Sequence, residues 1–93
     1  MEKIVIVLPG ESLASRKLAS IERKKIEHLI GGNVILHFDM KNIISISESY
    51  SDELFGVLVL NHGMEKVINS IRLENAETNT LASIASVMQR RIA

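Results

Sequence analysis

The sequence predicts an α/β fold: a short mixed sheet of about four strands with three helices packed over it, in the order βα-ββα-βα. Three observations carry this. The opening aliphatic run Ile4-Val5-Ile6-Val7-Leu8 stops at Pro9-Gly10, the signature of a short strand closed by a turn. Further along, segments with helical spacing of apolar residues alternate with segments of period two. Finally, 93 residues with 46% hydrophobic content and no cysteine suit one aliphatic core, in one domain over 1–93, built without disulfides. Alternating strands and helices imply right-handed crossovers between parallel neighbours.

Each element has its own signal. Residues 4–8 form the first strand, expected to be buried. Ser12 is placed to cap a helix over 13–30, whose apolar face carries Leu18, Ile21, Ile26, Leu29 and Ile30. Gly31-Gly32-Asn33 ends it, because glycine enters the left-handed region without steric cost. In the second strand, over 34–38, Val34, Leu36 and Phe38 share one face and Ile35 and His37 the other. A turn at 39–42 leads to a very short strand at 43–46, and a serine-rich connection follows. The next helix spans about 50–61, with Ser49 and Asp52 spaced as a capping box. Leu54, Phe55, Val57, Leu58, Val59 and Leu60 cover most of its circumference, so it is buried. Gly56 in its middle points to the close approach of a neighbour, since glycine there costs about 1 kcal/mol against alanine. Alternation over 67–73 predicts a fourth strand. Thr78 or Asn79 caps a last helix whose stripe is Leu81, Ile84, Ala85, Met88 and Ile92, with Arg90 and Arg91 placed to favour its dipole.

Composition narrows the function classes. Eleven basic and eleven acidic residues cancel, so there is no bulk attraction to nucleic acid or to an anionic membrane. Three aromatics in the whole chain make a base-stacking platform a poor fit. No apolar run approaches the roughly 20 residues that span a bilayer, and no signal-peptide pattern opens the chain, so a cytoplasmic protein is expected. His28, His37 and His62 lack metal-ligand spacing; His37 and Asp39 share a strand face, within reach of each other. There is no Gly-x-Ser-x-Gly elbow or phosphate loop. No cofactor, no metal and no catalysis are expected. Arg16, Lys17 and the run Arg23-Lys24-Lys25 read as the solvated face of the first helix.

The distinctive stretch is His37-Phe38-Asp39-Met40-Lys41-Asn42-Ile43-Ile44-Ser45-Ile46-Ser47-Glu48-Ser49-Tyr50-Ser51-Asp52-Glu53-Leu54-Phe55-Gly56. It resembles the STAS-like domain family of bacterial proteins, in which an Asp-Phe turn and a Val-x-x-Ile strand precede Ser-x-Ser-Phe-Ala-Asp-Glu-Leu at a helix start. Asp39, Ile43, Ile46, Ser47, Ser49, Tyr50, Asp52, Glu53, Leu54 and Gly56 fall in register. Gly10-Glu11-Ser12-Leu13-Ala14-Ser15-Arg16-Lys17-Leu18 is similar to the family's lead-in to its first helix. Met40 and Asn42 depart from the usual phenylalanine and glycine. The chain is distantly similar to anti-sigma factor antagonists, which carry Asp-Ser-Ser-Gly at this connection and are phosphorylated on its first serine. Glu48 stands at that position here, with Ser47 and Ser49 beside it.

The resemblance implies a non-catalytic regulatory or protein-interaction module whose partner is a protein such as a histidine-kinase-like ATPase. Its expected contact residues are Ser47, Glu48, Ser49, Tyr50, Asp52 and Glu53, together with the helix that follows. Zero net charge conceals an acidic patch at Glu48, Asp52 and Glu53 and a basic stretch from Arg16 to Lys25. The alternatives are a structural subunit that pairs with itself as a homodimer, and an inhibitor or defence-related protein using the same fold.

Overall fold

A computed structural model describes residues 1–92. Strand β1 (Glu2–Ile6) is followed by β2 (Ser12–Leu13) and helix α1 (Arg16–Ile26), which tightens into a 3₁₀ turn at Glu27–Leu29. Next come β3 (Val34–Asp39), β4 (Ser45–Ile46) and a continuous helix over 48–62. That central helix comprises α2 (Glu48–Ser51), a π turn (Asp52–Gly56) and α3 (Val57–His62). Helix α4 (Met64–Ser70), β5 (Ile71–Glu74) and α5 (Thr78–Gln89) complete the chain.

The α/β class stands, but the sheet is parallel rather than mixed. Strands β1, β3 and β5 form one sheet in that spatial order, and β2 pairs with β4 in a separate ladder, all parallel. Helical segments carry the chain back between β1, β3 and β5, so these strands run the same way. The register stacks Ile4, Leu36 and Ile71 in one row and Ile6, Phe38 and Leu73 in the next. These rows face the core, where the Phe38 ring meets Phe55 of the central helix edge to face, centroids 5.1 Å apart. The other face carries Val5, His37 and Arg72 in register. Val5 is 56% and Val7 65% exposed, so the opening aliphatic run is half solvent-facing, not buried.

Other expectations shift for local reasons. Residues 12–13, read as the start of the first helix, instead pair with residues 45–46. Ser15, not Ser12, caps α1, its Oγ accepting from the Leu18 N–H at 3.2 Å. Helix α1 packs through Ala19 and Ile26, leaving Leu18 55% and Ile21 44% exposed. Its inner side meets the polar flank of the central helix, so the small Ala19 and a long Arg23 face inward where aliphatics were expected.

The predicted strand over 67–73 is mostly helix: only Ile71–Glu74 is extended, and Val67 and Ser70 are buried one turn apart on α4. Met64, Val67, Ile68 and Ile71 also have helical spacing, and Gly63 at φ 89° lets a new helix begin directly after the last. On α5 neither Thr78 nor Asn79 caps; Glu77 precedes the helix without a side-chain bond. The buried stripe is Ile84, Val87 and Met88, while Leu81, Ala85 and Ile92 are exposed. No helix among the described residues is long and apolar enough to cross a membrane.

Candidate functional site

The amino-terminal end of the central helix is fastened from the backbone outward. The Ser47 N–H donates to Leu13 O at 2.7 Å, which extends the β2–β4 pairing. Ser47 Oγ donates to Ala14 O at 3.1 Å and accepts from the Tyr50 N–H at 3.0 Å. Ser47 is therefore the N-cap, two residues before the Ser49 of the expected capping box; Ser49 lies in the first turn and is exposed. The Tyr50 ring is core, 1% exposed, and Ser51 is buried beside it.

The charged residues of the segment are bound to distant cations. Asp52 takes a two-pronged bond from Arg91, Nε to Oδ1 at 2.9 Å and Nη2 to Oδ2 at 2.6 Å, and a third from Arg16 Nη1 at 3.0 Å. Glu53 accepts from Arg16 at 3.3 Å and from Arg23 Nη2 at 2.9 Å, while Arg23 Nε bonds the Glu53 carbonyl at 3.0 Å. Arg23 Nη1 continues to Glu27 Oε1 at 2.8 Å. Glu27 Oε2 in turn meets Asn61 Nδ2 at 2.8 Å and His62 Nε2 at 3.0 Å, at the far end of the central helix. Glu48, at the outer edge, accepts from Arg90 at 2.8 Å. The bond from Arg91 outweighs burial and, with Arg16, holds the Asp52 carboxyl at about 2.

Gly56 makes this arrangement possible. A methyl group there would overlap Asp52 Oδ1 and sit 3.3 Å from Arg91 Cγ. The close approach read from the sequence is thus the folding of Asp52 back over its own helix to reach α5. The local backbone is the π turn, a departure from α geometry often found where a helix carries function.

The six sequence-predicted contact residues separate into three groups. Ser47 and Tyr50 are structural. Asp52 and Glu53 are spent on internal ion pairs, each with 17% of its side chain exposed. Only Glu48 and Ser49 are exposed, bordering a shallow depression of about 400 Å³ that Arg16, Arg90 and Arg91 also line. The helix after them offers little surface, with Leu60 and Asn61 its outward residues. Asp52 and Glu53 of the acidic patch and Arg16 and Arg23 of the basic stretch are two halves of one network, while Glu48 pairs separately with Arg90. Arg16 and Arg23, expected in solvent, and Arg90 and Arg91, expected only to favour the dipole of α5, all bind carboxylates instead. The available signal was residue type: the forked, paired positions are arginine, which grips a carboxylate with two parallel bonds, whereas Lys17 and Lys24 remain outside.

Elsewhere, His37 Nδ1 lies 3.2 Å from Glu74 Oε2, not aligned as a hydrogen bond. Asp39 accepts instead from Asn75 at 3.0 Å and from the Lys41 N–H at 3.1 Å. Among the described residues no three histidine, aspartate or glutamate side chains converge as a metal site.

A parallel sheet backed by helices and a capped, Ser-x-x-x-Ser-Asp-Glu-Leu helix start define a small α/β domain class. The chain belongs to the STAS-like domain family: the family described as STAS-like domain of unknown function (DUF4325) matches residues 19–81. The matched span includes the central motif and omits the Gly10–Leu18 lead-in. No curated protein and no solved structure matches the chain.

Proposed function

We propose that this chain is a non-catalytic protein-interaction module of regulatory type, docking a protein partner such as a histidine-kinase-like ATPase through the start of the central helix. The observation that supports it is the contrast within 47–53. The capped and ion-paired residues make a rigid base, and Glu48 and Ser49 project from it beside a depression rimmed by three arginines. A pre-ordered patch loses little entropy on binding. The contact is narrower than the motif: Glu48, Ser49 and the adjoining Arg90, not Tyr50 or Glu53.

The test titrates the labelled chain with a candidate histidine-kinase-like ATPase. Glu48→Lys and Ser49→Trp, both at exposed positions, should abolish binding while leaving the melting temperature in place. Unchanged binding in both variants would rule the patch out. If the module is switched by phosphorylation, Ser49 is the acceptor, because the Ser47 hydroxyl both donates and accepts within the cap. An intact mass that stays constant with kinase and ATP removes the switch.

A second reading, a homodimer, draws on one observation: the open sheet face with Val5 and Val7 exposed. Sedimentation of the wild type against Val5→Lys separates the two. A monomer at micromolar concentration removes this reading.

A further inference from the structure

Behind the same helix start lies a groove that the ionic network does not touch. It encloses about 420 Å³ between the β2–α1 connection and α1, lined by Leu13, Ser15, Leu18, Ile21 and Glu22 with Tyr50 beneath. Three features mark it as unfinished. Leu18 and Ile21, large aliphatics one turn apart, are exposed on its rim. The Tyr50 hydroxyl is buried and has no hydrogen-bond partner, although a buried donor ordinarily finds one. Lys17 and Lys24 share the outer ridge of α1 with Ile21, at spacings of four and three, and among the described residues neither pairs with a carboxylate.

Burial, and secondarily the Glu22 charge, push the phenol up to about 12, so it is a neutral donor at physiological pH. The groove thus offers one donor and an aliphatic rim, with the Glu22 carboxylate already accepting from Lys25 Nζ at 3.2 Å. The Tyr50 hydroxyl suits a neutral backbone carbonyl, since a carboxylate placed on it would be repelled by Glu22.

We propose that this groove docks an acidic peptide segment of a protein partner. One aliphatic or aromatic side chain seats between Leu18 and Ile21, a backbone carbonyl accepts from the Tyr50 hydroxyl, and flanking acids meet Lys17 and Lys24. This surface is distinct from the Glu48–Ser49 patch and draws on the Gly10–Leu18 lead-in.

The test uses the isotope-labelled full chain and two blocked peptides, Glu-Asp-Leu-Phe-Asp-Glu and Lys-Lys-Leu-Phe-Lys-Lys, followed by amide proton–nitrogen correlation spectra. The acidic peptide should shift the amides of Leu13, Ser15, Leu18, Ile21 and Tyr50 saturably, and the lysine peptide should bind at least about tenfold more weakly. Tyr50→Phe should keep or raise the melting temperature, since the hydroxyl has no partner, and weaken the acidic peptide about five- to tenfold, the share of one hydrogen bond. The double variant K17E/K24E should invert the peptide preference. Shifts located elsewhere, equal binding of both peptides, or unchanged affinity in Tyr50→Phe would each overturn the proposal. So would groove amides that move on dilution of the free protein, which would assign the groove to a second copy. No ATPase is present in the assay, so its failure leaves the Glu48–Ser49 reading intact, and the reverse holds.

Discussion

The two ends of the central helix are tied to α1 with opposite polarity. At the amino-terminal end the helix supplies the carboxylates, Asp52 and Glu53, and α1 supplies Arg16 and Arg23. At the carboxy-terminal end α1 and its 3₁₀ turn supply the carboxylate, Glu27, and the helix supplies Asn61 and His62. The first arrangement suits the helix dipole, which favours anions near its start. Only the first end also reaches α5, through Asp52–Arg91 and Glu48–Arg90. The difference shows where the fold concentrates its rigidity. The start of the helix joins three helices through permanently charged arginines, whereas the finish joins two and gives way to α4 at Gly63.

The variant with the largest expected effect strikes the first end without touching a charge. Gly56→Ala should cost about 2–3 kcal/mol by forcing Asp52 off Arg91, measured by urea unfolding. In an Asp52→Ala background the same change should stabilise by up to about 1 kcal/mol through helix propensity. A substitution that has the same sign in both backgrounds would break the link between Gly56 and Asp52.

Acid titration probes the same carboxylate. Its folded pKa, about 2, lies below the ordinary 3.8, so ionised Asp52 stabilises the fold by about 2 kcal/mol. The sign follows from the depression: the contribution is complete above the ordinary value and disappears as pH falls from about 4 toward 2. Asp52→Asn should flatten the stability curve in that window; an unaltered curve would show that the Arg91 pair contributes nothing.

The other end sharpens the contrast. Glu27→Gln should cost about 1 kcal/mol and raise amide exchange around 59–62 while leaving α5 protected. Loss of protection in α5 would mean that the ends are not independent. Removing the cap, by Ser47→Ala, should also cost about 1 kcal/mol. Least of all, Arg90→Ala should change stability by less than about 0.5 kcal/mol, because its pair with Glu48 is solvent-exposed.

Much of this molecule could be read from local pattern. The strand at 34–38, the buried central helix and the Ser-Asp-Glu-Leu motif all declare themselves within a few residues. Misreadings occurred where two periods fit the same letters. The apolar residues over 64–71 satisfy helix spacing, while 67–73 also reads as alternation, and the two patterns overlap. The cap shifted from Ser49 to Ser47 because a cluster of serines offers several spacings, and only the backbone decides which oxygen meets a free N–H. The six candidate residues of 47–53 fall into three settings, capped or core, ion-paired, and exposed, because exposure is not a property of a residue type.

The sequence by itself determined the aliphatic core, the absence of disulfides, the family and the equality of opposite charges. Tertiary structure decided what those charges do. Arg16 meets Asp52 across 36 positions and Arg91 meets it across 39, and neither separation leaves a periodic trace along the chain. Helical and strand patterns are legible because they arise from backbone repeats over neighbouring residues. An ion pair between elements depends on how those elements pack, so it appears only once the fold has brought them together.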